Sequence, residues 1–552
     1  MQYTGARIVL EILKENDIDT IFGYPGGAIL PIYDELYTGS HGIRSIRGAH
    51  EQGTAHAADA YARVTGKTGV VLATSGPGAT NLVTALATAQ ADSVPLVAIT
   101  GNTSMDLIGK DSFQEVYIAG ITMPVTKHNF VVRDVAALAP SLRRAFEIAQ
   151  EGRCGAVLVD IPKNILTQAT TFTKPKKKRA PAYRARKSDI RKLAALINAS
   201  TRPLLYFGGG VIAGGASNML LSLCMEANLP ACHTLMGTGA LPSDCPYNLG
   251  LAGMHGRRSV AKAIDECDLL VAIGTRFSDR VALSGKDFAH EAKRVHIDID
   301  DAEISKNIRI SLGIQADAAD VLAQLAPLVE PKARTAWFDR LHKLQDMLDK
   351  PDPYASIPGL SPMYILDRLA QAAQEDAILV TDVGQHQIWA AQRYPFRYPK
   401  TLITPGGLGT MGFGMGASVG AKLAAPQKQV FLITGDGSFH MDLIELATAV
   451  RYGLAVKVIV LDNESLGMVR QWQHLQYGGR YAESDDVGTT DFAAVARAFG
   501  AQGTNADTCA AFDAALATAM QADGPFVIHC KIDKRIEVSP LLQESGGHIL
   551  MR

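Results

Sequence analysis

Short runs of apolar residues recur along the chain, each followed by a longer stretch in which apolar positions return every three or four residues. Val70–Ala73, Leu96–Thr100 and Ala156–Asp160 form one set of runs. Leu204–Phe207, Leu269–Ile273 and Val295–Ile299 form a second, and Ile378–Thr381, Val430–Ile433 and Val456–Leu461 a third. Continuous Val/Ile/Leu runs between helical patterns predict parallel sheets covered by helices on both faces. The expected fold class is α/β, with three tandem open parallel-sheet domains at 1–170, 186–335 and 358–540. A basic, proline-bearing stretch from Thr173 to Pro181 and a second between Pro351 and Pro362 read as solvated connectors. Near the start, Ala6, Val9, Leu10 and Leu13 share one helical face and Glu11 interrupts the apolar stretch, which predicts a helix rather than an export leader.

Composition narrows the function classes. The 552 residues are 47% hydrophobic and 20% charged, ordinary for a globular protein. Their formal net charge of -1 offers no electrostatic case for nucleic acid or an anionic membrane surface. No apolar run approaches the ~20 residues of a membrane span. The seven cysteines are scattered and form no C-x-x-C pair, which predicts reduced thiols in a cytoplasm and no zinc site.

Chemistry concentrates at strand ends. Gly435-Asp436-Gly437-Ser438 follows the run Val430–Ile433 and precedes apolar positions Leu443, Leu446, Ala447 and Val450, read as one helix. Glycines at such a turn let the backbone approach a phosphate, and the helix N-terminus favours its charge. The next run, Val456–Leu461, ends in Asp462-Asn463-Glu464-Ser465. Mg²⁺ takes oxygen ligands and usually keeps phosphate and water in its shell. Asp436, Asn463 and a main-chain carbonyl near Ser465 suit it. A bare tight turn and a helix cap are the alternative for either strand end alone; two consecutive ends disfavour it.

This spacing resembles the diphosphate–metal motif of thiamine-diphosphate enzymes. From about residue 4 to 535 the chain is similar to the large catalytic subunits of the acetolactate synthase (acetohydroxyacid synthase) family. The matching stretches begin at Phe22 (F-G-Y-P-G-G-A), His50 (H-E-Q-G), Thr74 (T-S-G-P-G-A-T-N), Phe113 (F-Q-E), Thr126 (T-K-H-N), Met254 (M-H-G), Arg276 (R-F-S-D-R) and Gly467 (G-M-V-R-Q-W). The resemblance implies decarboxylation of pyruvate and transfer of the hydroxyethyl unit to a second pyruvate or to 2-ketobutyrate, the first common step of branched-chain amino acid synthesis. Small 2-keto acids would be the substrates, and a homodimer or homotetramer would form with each site shared between subunits. A small regulatory subunit is a further expected partner.

Site residues follow from the same resemblance. Glu51 would be the acid that activates the aminopyrimidine, although a glutamate in a first helical turn also suits the macrodipole. Gly26, Pro77 and Asn81 would surround the pyrimidine. Gln385, His386, Gly435, Gly437, Ser438 and Met468 would hold the diphosphate side, with Met411 under the bent cofactor or, equally, an ordinary core residue. Gln114, Lys163, Arg276 and Trp472 would meet substrate; a guanidinium suits a carboxylate, and an indole wall rewards one extra methylene by ~1–3 kcal/mol. FAD would contact Arg153, Gly208, Gly209, Gly210, Met254, His255, Gly274, Arg276, Asp298 and Asp317, without a net redox part.

The chain departs from the family pattern in places. Ala49 stands for arginine, Lys110 for threonine and Ile444 for glutamine. Gly412 to Ser418 replaces G-F-G-L-P-A-A, and the segment from Ile536 to Leu542 replaces a Tyr-Pro…Pro-Pro-Gly ending. These positions leave open another thiamine-diphosphate decarboxylase, carboligase or FAD-dependent pyruvate oxidase, and more remotely a non-catalytic nucleotide-binding scaffold. Retention of Glu51 and Asp436 argues against the scaffold.

Overall fold

A computed structural model describes residues 1–38, 41–175, 182–282, 288–349, 351–485 and 490–539. Part of the basic connector, Lys176 to Pro181, and the residues from Pro540 onward lie outside them. Each of the nine apolar runs forms a strand, and together with nine further strands they build three six-stranded sheets. Every ladder within these sheets is parallel. The run ending at Ile299 closes one residue early, as strand Lys293–Asp298.

The three sheets are of two kinds. The first has the spatial order Arg44–Arg47, Thr20–Gly23, Gly69–Ala73, Leu96–Asn102, Ala156–Pro162, His128–Val131. The last has Leu402–Ile403, Ile378–Thr381, Val430–Gly435, Val456–Asp462, Phe526–Lys531, Gln502–Ala506. Numbered within each segment, both read 2-1-3-4-6-5. The middle sheet reads 3-2-1-4-5-6, from Asn248–Leu251 through Pro203–Phe207 and Leu269–Ile273 to Leu312–Gln315. In such open sheets the strand order reverses at one point and leaves a crevice at the carboxyl ends. Here the crevices open between Gly23 and Ala73, between Phe207 and Ile273, and between Thr381 and Gly435.

The first and last sheets share one apolar core, in which Phe22, Val71 and Leu96 cluster with Val380, Leu432 and Val458. Its seam is the contact of helix Glu51–Thr65 with helix Gly414–Ala424. Small residues make it possible. A side-chain carbon on Gly416 would collide with the carbonyl of Gly53, and one on Gly420 with the carbonyl of Ala57. The helices therefore touch backbone to backbone at two successive turns. Gly416, where the family pattern has proline, also donates its N–H to Asp442 Oδ2 at 2.8 Å, a bond proline cannot make.

The single helix expected after Gly435 is broken into helix Asp436–Asp442, a 3₁₀ turn Leu443–Glu445 and helix Leu446–Arg451. Asp442, at φ -139°, interrupts it and turns its carboxylate toward Gly416. The break also brings Glu445 to the amides of Ala49 (3.2 Å) and His50 (3.0 Å), just before Glu51. Hydrophobic periodicity continues through the break, so the pattern alone does not reveal it.

Gly420→Val should destabilise the protein by at least about 2 kcal/mol in urea unfolding, because the added methyls meet main chain that cannot yield. An unchanged midpoint would mean that these helices do not touch.

Candidate active site

The crevice of the last sheet gathers the expected diphosphate residues. Gly435 precedes helix Asp436–Asp442 and Gly384 precedes helix Gln385–Arg393, so both helix N-termini face one space. Ser438 Oγ donates to Val383 O at 2.9 Å and locks the two strand ends together. The His386 ring lies 3.0 Å from where a Gly435 side chain would start, so a larger residue there would press on the ring. His386 Nε2 is buried and has no hydrogen-bond partner, and burial pushes the imidazole down to about 3, which keeps it neutral. Met411 Cε lies 3.7 Å from the corresponding point on Gly437, beside Leu466.

Asp436 and its neighbours form an uncompensated polar cluster. Asn463 Nδ2 donates to Gln385 Oε1 at 3.1 Å, and Asn463 Oδ1 accepts from Ser465 N at 3.2 Å. The buried Ser465 hydroxyl has no partner. Burial and the adjacent Asp462 carboxylate push Asp436 up to about 7. Asp462 is buried too, but hydrogen bonds from His529 and Lys531 hold it down to about 2. Among the described residues, no three His, Cys, Asp or Glu side chains cluster to bind a metal unaided. A single carboxylate with amide and main-chain oxygens fits a hard cation whose other ligands are phosphate and water. Met468, half-buried, and Trp472, also half-buried, ride on helix Gly467–Tyr477, next to Gln471, which accepts from Gln385 Nε2 at 3.0 Å.

The first sheet's crevice holds the acid. Glu51 is the first residue of helix Glu51–Thr65, capped by the His50 ring, which accepts from Gln52 N at 3.1 Å. Glu51 Oε2 accepts from Asn81 Nδ2 at 2.9 Å, and Oε1 lies 3.1 Å from where a Gly78 side chain would begin. Pro77 opens the short helix Pro77–Thr80 after Gly76, whose φ of 61° lets the chain turn against Gln114. Gly26 packs on Thr74. Lys163, exposed after strand Ala156–Pro162, makes no hydrogen bond or ion pair among the described residues, and Phe113 is 86% exposed. No hydrogen bond or ion pair among the described residues joins Glu51 or Asn81 to Gln385, Asp436, Asn463 or Ser465.

In the central crevice, Gly274 (φ 58°) packs against Gly210, and Gly208 against the Gly274 carbonyl; Gly209 abuts Met236. Burial and Arg153 pull the half-buried Arg276 below its ordinary value, and its guanidinium has no ion pair among the described residues. Arg153 itself is bound to Glu303 at 3.0 Å. Asp298, pushed up to about 6 by burial, accepts from Asp300 N, and His255 Nδ1 is buried without a partner. Met254 is buried, with its amide on Arg280 O. Asp317 Oδ1 caps helix Ala318–Leu325 by accepting from Ala319 N and Asp320 N.

Three segments match known domain families: residues 3–121 the thiamine pyrophosphate enzyme N-terminal TPP binding domain, 190–325 the central domain and 382–530 the C-terminal TPP binding domain. An acetolactate synthase of Mycobacterium bovis is 45% identical over 526 residues, covering 91% of this chain and 83% of that protein. The acetolactate synthase isozyme 1 large subunit of Escherichia coli is 44% identical over 554 residues, covering 100% and 98%. A probable acetolactate synthase large subunit of Methanocaldococcus jannaschii is 42% identical over 560 residues. The chain belongs to the acetolactate synthase family of thiamine pyrophosphate enzymes. The family's two TPP binding domains are the two 2-1-3-4-6-5 sheets, and its central domain is the 3-2-1-4-5-6 sheet.

Strand-end motifs made most of these residues visible in the sequence. Gln471, Asp442, Glu445, His529 and Lys531 were not, because each lies within a helix, turn or strand and reaches the site only through tertiary contact.

Asp436 supplies a pH test. Its folded-state value of about 7 lies above the ~3.9 of an unfolded aspartate, so its burial favours the fold in acid and loses that advantage as pH rises through about 7. In cofactor-free protein, the unfolding midpoint of Asp436→Asn minus that of wild type should rise between about pH 5 and about pH 8. A flat difference would show that no unpaired charge develops there.

Proposed function

We propose that this chain is the catalytic subunit of an acetolactate synthase, decarboxylating pyruvate and joining the two-carbon unit to pyruvate or 2-ketobutyrate in branched-chain amino acid synthesis. The observation that carries it is the pairing of Glu51 with Asn81 in one crevice and the cation-ready Asp436 beside two helix N-termini in its topological twin. Bound thiamine diphosphate supplies the electron sink for the carbon–carbon chemistry. Glu51 presents its carboxyl to the aminopyrimidine nitrogen and exchanges a proton there, and Asn81 orients it. Asp436, Asn463 and the Ser465 carbonyl hold Mg²⁺, while Gln385, neutral His386, Ser438 and the glycine amides receive the diphosphate. Met411 and Met468 wall the reactive ring. Arg276, free of ion pairs among the described residues, takes the second keto acid's carboxylate; Trp472 lines its side-chain pocket; Gln114 and Lys163 approach from the first sheet.

FAD is proposed in the central crevice, against Gly208–Gly210 and Gly274, with Arg153, Met254, His255 and Asp298 around it. Asp317, which caps helix Ala318–Leu325, is proposed to contact it as well. The three domains are taken as 1–170, 186–335 and 358–540. The family resemblance supports a homodimer, or a tetramer of such dimers, in which each site takes one half from each chain. Relatives named large subunits support a small regulatory partner. All seven cysteines are free, and no helix among the described residues is long and apolar enough to cross a membrane; we take the protein to work in the cytoplasm.

Incubation with pyruvate, thiamine diphosphate, Mg²⁺ and FAD should yield acetolactate, and acetohydroxybutyrate when 2-ketobutyrate is added. Acetaldehyde or acetate as the main product would redirect the assignment to another member of the wider enzyme class. Glu51→Gln should fold normally and lose turnover by about 10²–10⁴-fold. Mixing inactive Glu51→Gln and Asp436→Ala chains under subunit exchange should restore about a quarter of wild-type activity, since half the dimers carry one intact site. No recovery would place both residues in a site within one chain.

A further inference from the structure

Asp462 ends strand Val456–Asp462, immediately before Asn463, and has no role in the reading above. It is 1% exposed, and both its oxygens are occupied. Oδ1 accepts from Glu464 N at 2.9 Å; Oδ2 accepts from His529 Nε2 at 2.6 Å and Lys531 Nζ at 2.7 Å. His529 and Lys531 stand two residues apart on the neighbouring strand Phe526–Lys531, so their side chains leave the same face. Each is braced in turn. His529 Nδ1 lies 3.1 Å from Asn505 Oδ1, its ring meets Phe492 edge-on at 5.2 Å, and Lys531 Nζ also donates to Glu464 Oε1 at 2.8 Å.

Asp436 lies against this carboxylate, shares a side-chain hydrogen bond with it, and meets the main-chain N–H groups of Gly437 and Ser465. Two buried carboxylates thus stand side by side, and the His529 and Lys531 donors serve one of them. Swinging Asp462 toward Asn463 would break two bonds at once. Behind it, His529 and Lys531 border a surface cavity of about 520 Å³ that Thr490, Asp491 and Asp507 complete, so water can reach a trimmed side chain.

We propose that His529 and Lys531 are positioning residues for the divalent-cation site: they fix Asp462 as a non-ligating carboxylate, leaving Asp436 to take the cation in a neighbourhood kept negative. This builds on the proposal that Asp436 and Asn463 bind Mg²⁺. Partners that orient carboxylates outside a ligand set characteristically change metal affinity 10–100-fold when removed.

The test follows thiamine diphosphate binding to the full chain by intrinsic tryptophan fluorescence while Mg²⁺ is titrated. His529→Leu, which fills the space without donating, should raise the half-saturating Mg²⁺ concentration about tenfold; His529→Gln, whose amide reaches Asp462 as Nε2 does, should stay within about threefold of wild type. Asp462→Asn, of the same shape without the charge, should also weaken Mg²⁺ about tenfold. A wild-type Mg²⁺ requirement in His529→Leu or Asp462→Asn overturns the proposal. So does an equal loss in His529→Leu and His529→Gln with matching drops in unfolding midpoint, which assigns His529 to packing alone. If wild-type binding itself ignores Mg²⁺, the metal reading fails first, and that outcome is distinguished by needing no variant.

Discussion

Backbone contact between helix Glu51–Thr65 and helix Gly414–Ala424 is the constraint on which the other arrangements depend. Gly416 and Gly420 remove the side chains that would separate the helices, and the carbonyls of Gly53 and Ala57 fill the space. The close approach merges the inner faces of the first and last sheets into one core. It also orients the catalytic candidate. Glu51 begins one of these helices, and Glu445, from the far side of the seam, accepts the Ala49 and His50 amides just before it. The His50 amide, at the N-cap, is one of the donors that a helix start leaves unsatisfied. The last domain therefore helps place the acid of the first, although the two crevices share no hydrogen bond or ion pair among the described residues.

Charges inside the protein divide into two populations. Some are matched to neighbours: Arg63 binds Asp59 and Asp92 and donates to Thr404 O, over the face of Phe413. Lys127 and Lys457 are spent on main-chain carbonyls at the ends of helices and turns. Such groups hold segments in place. Other polar groups at the strand ends lack such matching among the described residues: Asp436 and Arg276 have no ion pair, and the neutral His386 Nε2 and the Ser465 hydroxyl have no hydrogen-bond partner. A buried polar group without a partner is unfavourable by roughly 1–3 kcal/mol, more if charged. Concentrating several at the crevices of open sheets marks those crevices as the places where something else completes the bonding.

The central domain differs in topology, and its crevice differs accordingly. Its 3-2-1-4-5-6 order faces a glycine-lined gap, where Gly210 and Gly274 touch with no room for a side chain on either. Arg153, from the first domain, binds Glu303 of the central one, and its charge is felt at Arg276. Arg276 follows Gly274 by two residues, so it stands at the end of the strand that lines this crevice.

The sequence by itself determined nine central strands of the three sheets, their parallel pairing and the motifs at their ends. Periodicity is a local property, and an apolar run such as Val430–Ile433 followed by Gly435-Asp436-Gly437 carries its structure and its candidate site within a dozen residues. It was also enough to place the chain in its family through motifs spread over the full length. Tertiary structure decided what no local pattern encodes. It broke the expected helix at Asp442, since the apolar spacing through Val450 continues regardless of where a carboxylate finds the Gly416 amide. And it set His529 and Lys531 on Asp462 across 67 residues or more of chain, a contact fixed by strand register and by the low polarity that makes a buried carboxylate seek its nearest cation.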